Sequence, residues 1–148
     1  MERDFLIRVK NFVTVKQALI KNLKIEVNME EYVEGGCFCG FVRYHLVKNN
    51  YPSANCHCSM CRRTSAAPFV PWMALPLSCF EYTRGQPKEL NSSSHGTRYF
   101  CDECGTHLAC ILEEDPEIIN VTICSLDDPQ EFEPKAEIYI DDKLAWVN

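Results

Sequence analysis

"GGCFCGFVRYHL", Gly35 to Leu46, sets two cysteines one residue apart between glycines, at the mouth of a segment that reads as a β-strand. In a strand the side chains at i and i+2 share a face, so Cys37 and Cys39 are expected to point together. Two thiolates on one tetrahedral zinc lie roughly 3.8 Å apart, given a zinc–sulfur bond of about 2.3 Å. The spacing suits that arrangement. It suits a mutual disulfide poorly, because so small a ring strains the bridge.

Outward from that pair, the first partner is "CDECG", which places Cys101 and Cys104 three residues apart with Gly105 behind them. That is the turn in which two thiolates grip one ion while the backbone bends around them. Together the two pairs make a four-thiolate site, the closed form of structural zinc. The alternative is a redox pair at Cys101 and Cys104. A redox pair expects a helix behind it in a βαβ pattern, whereas "GTHLACIL" reads as a strand.

Between these halves lies "CHCSMCRR", with Cys56, Cys58 and Cys61 at spacings of two and three and no fourth cysteine close by. Three protein ligands with a position left over is the form of a catalytic zinc. The bland alternative is a second structural site closed by His57, His95, His107 or a leftover cysteine. In an extended segment His57 faces away from its neighbours. Arg62 and Arg63 follow at once. One of them reads as a solvated surface residue, the other as a guanidinium that lowers thiolate pKa values and pairs with a substrate carboxylate.

Ten cysteines in 148 residues would mark a disulfide scaffold in a secreted protein. The N-terminal "MERDFLIRVKNFVTVKQALI" interrupts its apolar residues with Arg3, Asp4, Arg8, Lys10 and Lys16, so no signal-peptide core can be marked out. Nor is any stretch long enough to cross a bilayer. A reducing, cytoplasmic compartment with metal-bound cysteines is therefore expected. The formal charge of −6 argues against a general nucleic-acid binder.

Charge and pattern divide the chain. Residues 1–28 carry six Lys or Arg against three Asp or Glu, a net of +3 that leaves −9 for the rest. Phe12, Val15, Leu19 and Leu23 follow helical spacing, and Leu23, Ile25, Val27 and Met29 alternate as a strand does. Residues 1–29 thus read as a helix and strand extension, native or preceding a natural start at Met29, and residues 30–148 as one zinc-binding domain. From Tyr32 the chain reads as mainly β. "FVRYHLV", "PFVPWMAL", "CFEYT", "TRYF", "THLACIL" and "EIINVTIC" are short, rich in aromatic and β-branched residues, and separated by Gly, Pro, Ser or Asn clusters. "NSSSHG", Asn91 to Gly96, reads as a plain loop. Cys79, Cys110 and Cys124 have apolar flanks and read as small core residues. Trp72, Phe69 and Trp146 are expected in the core and His45 at the surface. The architecture implied is a compact antiparallel β domain tied by metal.

Four linked motifs, "GGCFCG-VRY", "C-C--CRR", "FC--CGTHL" and "SLDDP", stand in the order and spacing of a known family. From Tyr32 to about Val147 the chain resembles the glutathione-dependent formaldehyde-activating enzyme family, which includes the centromere protein V-like proteins. The resemblance implies a β-rich, tent-like fold of the Mss4-like kind. It implies two zinc ions per chain, a structural one on Cys37, Cys39, Cys101 and Cys104 and a second on Cys56, Cys58 and Cys61. The activity implied is carbon–sulfur bond chemistry joining glutathione to formaldehyde. Against the family pattern, Ala66 stands where glycine is usual, Cys124 where "GSLDDP" tends to begin, and Glu137 and Tyr139 where a His and a Trp are common. The tail that carries the last two is expected beside the substrate cleft.

The function expected is a zinc-dependent carbon–sulfur lyase or synthase acting on a small thiol and an aldehyde such as formaldehyde, or on their adduct. Cys56, Cys58, Cys61 and Arg62 are the catalytic candidates. The alternative is a non-enzymatic zinc-stabilised β binding module, in which both metals are structural and a sheet face or the basic N-terminal segment meets a partner.

Overall fold

A computed structural model describes residues 31–148; the helix and strand expected before Met29 lie outside the described residues. Two sheets are built from ten strands: β1 (Tyr32–Gly36), β2 (Arg43–Val47), β3 (Ser53–Cys56), β4 (Val70–Pro76), β5 (Phe80–Arg84), β6 (Lys88–Ser93), β7 (Gly96–Phe100), β8 (His107–Leu112), β9 (Ile118–Thr122) and β10 (Glu137–Ile138). Among the described residues one α-helix, α1 (Ser59–Ser65), follows β3. The smaller sheet runs β1-β2-β5 and the larger β10-β3-β4-β9-β8-β7-β6. Their pairings are antiparallel except for β10, which lies parallel to the end of β3 with Glu137 beside Asn55 and Ile138 beside Cys56.

Alternation along the central strands sends two sets of side chains to opposite faces of the larger sheet. Met73, Val121 and Ala109 stand opposite one another across β4, β9 and β8, as do Leu75, Ile119 and Ile111. They pack with Tyr44 and Leu46 of the smaller sheet in the main core. The alternate residues Ala54, Cys56, Val70, Trp72 and Cys110 form a second, smaller core with Cys61 and Ile138. Because β4 and β9 are covered on both sides, "VPWMALP" and "IINVT" contain long apolar runs instead of an alternation. The two strands with the clearest apolar runs are therefore the ones that separate the two cores.

The six expected strand segments all carry strands, and four further strands were not evident in the sequence. "YVEGG" and "SANC" offer too few β-formers to stand out. "KELNSS" is a mostly exposed edge strand that needs no apolar face. "NSSSHG" is thus not a plain loop. Asn91–Ser93 end β6, and Gly96 begins β7 on the other arm of a tight hairpin. Cys79, Cys110 and Trp72 are buried as expected, whereas Cys124 is exposed and Trp146 is 70 % exposed. Cys124 lies in the 3₁₀ turn Ile123–Ser125, whose two end residues are the ones turned inward. Trp146 lies past the last regular element, where no sheet covers it. Phe69 is half-buried, its ring 5.2 Å from that of His57. His45 is half-buried rather than exposed, its Nε2 3.2 Å from Glu81 and its ring 4.4 Å from Tyr32. No helix among the described residues is long and apolar enough to cross a membrane.

Helix α1 ends at Ala66 in the left-handed region, with φ 51° and ψ 39°, its N–H on the Arg62 carbonyl. Glycine enters that region without the Cβ clash, which costs other residues roughly 1–2 kcal/mol. Part of the gain from glycine is offset by the greater freedom of the unfolded chain, about 0.4–1 kcal/mol. Ala66→Gly is expected to raise stability by about 0.5–1 kcal/mol, read as a higher thermal midpoint in calorimetry; a lower midpoint would contradict this account of the cap.

Candidate functional site

Cys37 and Cys39 are not part of β1, as the spacing had suggested, but occupy the turn that follows it. The chain reverses there because Gly40 adopts φ +76° and donates its N–H to the Cys37 carbonyl at 3.0 Å, while Cys37 and Val42 close the turn at 3.0 Å. The second pair uses the same device. Gly105 at φ +77° donates to the Cys101 carbonyl at 2.7 Å. Each turn folds its own two sulfurs inward, and the packing of the sheets brings the turns together. Cys37 and Cys39 Sγ are 3.5 Å apart, Cys39 and Cys101 Sγ are 3.8 Å apart, and all four sulfurs lie within 4.8 Å of one another. These separations match the edge of a tetrahedral zinc–thiolate site, roughly 3.8 Å.

Backbone and hydroxyl donors surround the four sulfurs. The Val42 N–H reaches Cys37 Sγ at 3.2 Å, and the Phe38 N–H reaches the Thr106 hydroxyl at 3.0 Å. Thr106 Oγ1 lies 3.2 Å from Cys104 Sγ. That hydroxyl, followed by the backbone N–H groups of Cys39 and Thr106, holds the Cys104 thiol down at about 6. Such donors favour the ionised sulfur a cation requires.

Cys56, Cys58 and Cys61 form the second cluster, their sulfurs also within 4.8 Å of one another. Cys56 ends β3, Cys58 caps the N-terminus of α1, and Cys61 lies in its first turn. The segment is therefore not extended throughout, and the helix brings Cys61 back onto the pair before it. Cys58 Sγ accepts the Cys61 N–H at 3.3 Å. The neighbouring thiols of Cys56 and Cys61, and then those helix-terminal N–H groups, hold the Cys58 thiol far below its ordinary range. Cys56 is pushed up by its two neighbours and then by burial. A cluster that ionises so unequally on its own is one that a cation would even out.

None of the proposed fourth ligands joins this cluster among the described residues. His57 turns away, as its position between two inward cysteines requires, and its Nε2 pairs with Glu137 Oε2. Residues 1–30 contain neither cysteine nor histidine, so the undescribed segment offers no thiolate or imidazole either. His107 is held down at about 4 by burial and then by Arg98, with both ring nitrogens unpartnered and its ring edge-on to Trp72.

Beside the three sulfurs is a cavity of about 140 Å³. Trp72, Leu112, Ile138 and Tyr139 supply apolar wall, and Cys110 contributes a fourth thiol beyond ligand distance. Tyr139 is turned over the cavity by a left-handed backbone, φ 55°, immediately after β10. Asn55 Nδ2 donates to Glu137 Oε1 at 2.8 Å. Although burial works the other way, hydrogen bonds from Asn55 and His57 hold the Glu137 carboxyl below the usual range, so this tail is tied to β3 through an ionised carboxylate. A larger groove of about 700 Å³, lined by Lys48, Tyr51 and Lys135, contains no thiol.

Of the two arginines after the cluster, Arg63 is exposed and Arg62 is half-buried with its Nε on the His57 carbonyl at 3.2 Å. Neither lines the cavity; Arg98 does. It projects from β7, only 6 % exposed, with Nε on Ser92 Oγ at 3.0 Å and Nη2 3.8 Å from Cys61 Sγ. Sequence reading passed over Arg98. A signal was available, because alternation in "GTRYF" puts Arg98 on one face with Gly96 and Phe100, where an isolated cation is out of place.

Residues 32–142 match the profile of the family described as "Glutathione-dependent formaldehyde-activating enzyme". A Halomonas elongata protein named "Putative glutathione-dependent formaldehyde-activating enzyme" is 28 % identical over 127 residues, covering 78 % of this chain and 79 % of its own. An "Uncharacterized lyase" of Schizosaccharomyces pombe is 30 % identical over 117 residues, covering 78 % of this chain and 82 % of its own. A crystal structure of a Rhodobacter sphaeroides protein superposes with a TM-score of 0.57 at 22 % identity, over 70 % of this chain and 97 % of that one.

The two clusters are expected to respond differently to loss of a ligand. Native mass spectrometry should find two zinc ions per chain and no disulfide. Binding at a structural zinc contributes about 10–16 kcal/mol, comparable to the roughly 5–15 kcal/mol stability of a whole domain. Cys101→Ser should therefore unfold the protein or lower its melting temperature sharply, while Cys58→Ser should stay folded with one zinc fewer. Equal collapse of both variants by circular dichroism would mean that both clusters are structural.

Proposed function

Since the chain belongs to the glutathione-dependent formaldehyde-activating enzyme family, we propose that it catalyses carbon–sulfur bond formation or cleavage between a small thiol, glutathione or a relative of it, and formaldehyde or a similar aldehyde. The observation that carries this reading is the three-sulfur cluster, with no fourth ligand among the described residues, opening on a small cavity. Cys37, Cys39, Cys101 and Cys104 would hold a structural zinc, and Cys56, Cys58 and Cys61 a second one. When bound there, the second zinc supplies a cation that favours the thiolate form of a thiol reaching its remaining position.

The chain's own residues do the rest. Drug-sized ligands fill pockets of roughly 300 Å³ or more. A cavity of about 140 Å³ admits the sulfur end of a thiol and a one- or two-carbon aldehyde, while the remainder of a tripeptide stays outside. Its apolar walls exclude water from the reacting carbon. Arg62, whose Nε is engaged by the His57 carbonyl, keeps its two terminal nitrogens for a carboxylate of the incoming thiol. The Glu137–His57 pair holds the tail so that Tyr139 covers the cavity. Three thiolates and a divalent zinc carry a formal charge of −1, which makes zinc a weak Lewis acid. Orientation of the two reactants is then the larger contribution.

The reading is tested by exchange NMR on mixtures of glutathione and formaldehyde. Wild-type protein should speed interconversion of formaldehyde and S-(hydroxymethyl)glutathione, and Cys58→Ser should lower that rate by about 100-fold or more. The thiol binds as its thiolate and so releases a proton. Below the free thiol's pKa of about 8.5 its apparent affinity should therefore rise about tenfold per pH unit. If no small thiol were turned over or bound, the protein would be a zinc-stabilised binding module instead.

A further inference from the structure

A buried arginine requires an account of its charge. Arg98 is only 6 % exposed, and among the described residues no carboxylate pairs with it. Its Nε is used on Ser92 and its Nη2 faces Cys61 Sγ, but Nη1 is buried without a hydrogen-bond partner. Leaving a buried, charged donor unsatisfied is costly. The three sulfurs would offset the charge once a bound cation takes them as thiolates, and Nη2 already faces Cys61 Sγ. They leave Nη1 without an acceptor. The guanidinium belongs to a residue that lines the same cavity as Cys56, Cys58 and Cys61, and Nη1 has no open surface there in this structure, so a small turn of the guanidinium brings it to an acceptor lodged in the cavity.

The geometry points to Arg98 as an oxyanion-binding residue, whose free Nη1 takes the oxygen of a small carbonyl compound, or of its thiol adduct, held against the three-cysteine cluster. This rests on the function proposed above. When the substrate thiolate adds to the carbonyl carbon, a sulfur lone pair forms the C–S bond and the C=O π pair moves onto oxygen. The oxygen then takes one proton from water, equal in number to the proton the thiol lost on ionising. Negative charge thus shifts from sulfur to an oxygen two bonds away, and a guanidinium beside the cluster stabilises it in both places. The planar fork permits this, because one nitrogen serves the sulfur side and the other the oxygen. The site is thereby assigned to substrates that place an oxygen one carbon from sulfur.

The experiment uses cobalt-loaded protein and two small thiols, ethanethiol and mercaptoacetate, followed by the sulfur-to-cobalt charge-transfer absorption. Mercaptoacetate carries an anionic oxygen close to where the addition places one. Wild type is expected to bind it at least 10-fold more tightly than ethanethiol, and Arg98→Met should reduce that preference to about onefold while ethanethiol affinity changes little. Cobalt content and melting temperature report whether each variant remains intact. Should Arg98→Met fail to hold cobalt, Arg98→Lys decides, since it keeps the charge and loses the fork. A preference reduced threefold or more supports the assignment, and an unchanged one overturns it. If both thiols bind wild type equally, Arg98 only balances the charge of the sulfurs and this inference fails while the proposed function stands. If neither thiol binds, both fall.

Discussion

The junction of four sulfurs from two turns, one in each sheet, is the constraint on which the rest of the structure depends. The turn after β1 belongs to the smaller sheet and the turn between β7 and β8 to the larger, and Cys39 and Cys101 meet across 62 residues of chain. Cys37 and Cys101 are also members of the main core. The sulfurs therefore sit where the apolar packing of the two sheets ends, not on an appendage. Four thiols held this closely favour a cation that takes them all as thiolates. Hydrophobic packing brings the turns near one another, and the metal chemistry available to them would set their separation.

The second cluster is built by a different principle. It takes all three sulfurs from one short segment, so its geometry depends on a strand end, a helix cap and a first helical turn, and not on the docking of two sheets. A ligand set made locally can lose a member without separating the layers. It also leaves one side of the cluster facing the cavity instead of a second turn. The same contrast appears in charge. Around the first cluster the donors are backbone N–H groups and the Thr106 hydroxyl, whereas beside the second a full positive charge on Arg98 is buried. A burial cost of this kind is tolerated where the environment carries compensating negative charge.

Of the positions that stand apart from the family pattern the sequence resembles, Ala66 and Tyr139 are backbone corners and Glu137 lies in β10. Ala66 ends α1 in a left-handed conformation, and Tyr139 adopts another at the edge of the cavity. Glu137 ties β10 to β3 through Asn55 and His57. On the function proposed above, these positions bear on which thiol and which aldehyde reach the cluster more than on whether sulfur chemistry occurs there.

The sequence by itself determined the cysteine partition, because ligand spacing is a property of a few adjacent residues and survives any uncertainty about the fold. The mainly β character was legible for the same reason in "PFVPWMAL", "THLACIL" and "EIINVTIC", whose apolar residues are dense enough to mark strands. Tertiary structure alone decided what depends on neighbours distant in sequence. Edge strand β6 exists because β7 pairs with it, Trp146 is exposed because nothing packs over the tail, and Cys124 turns outward because its neighbours take the inward positions. Arg98 is the clearest case. A charged side chain ordinarily favours solvent, and only the closure of the β-sheet over the three-cysteine cluster, with Ser92 on one side and Cys61 on the other, makes a buried guanidinium tenable.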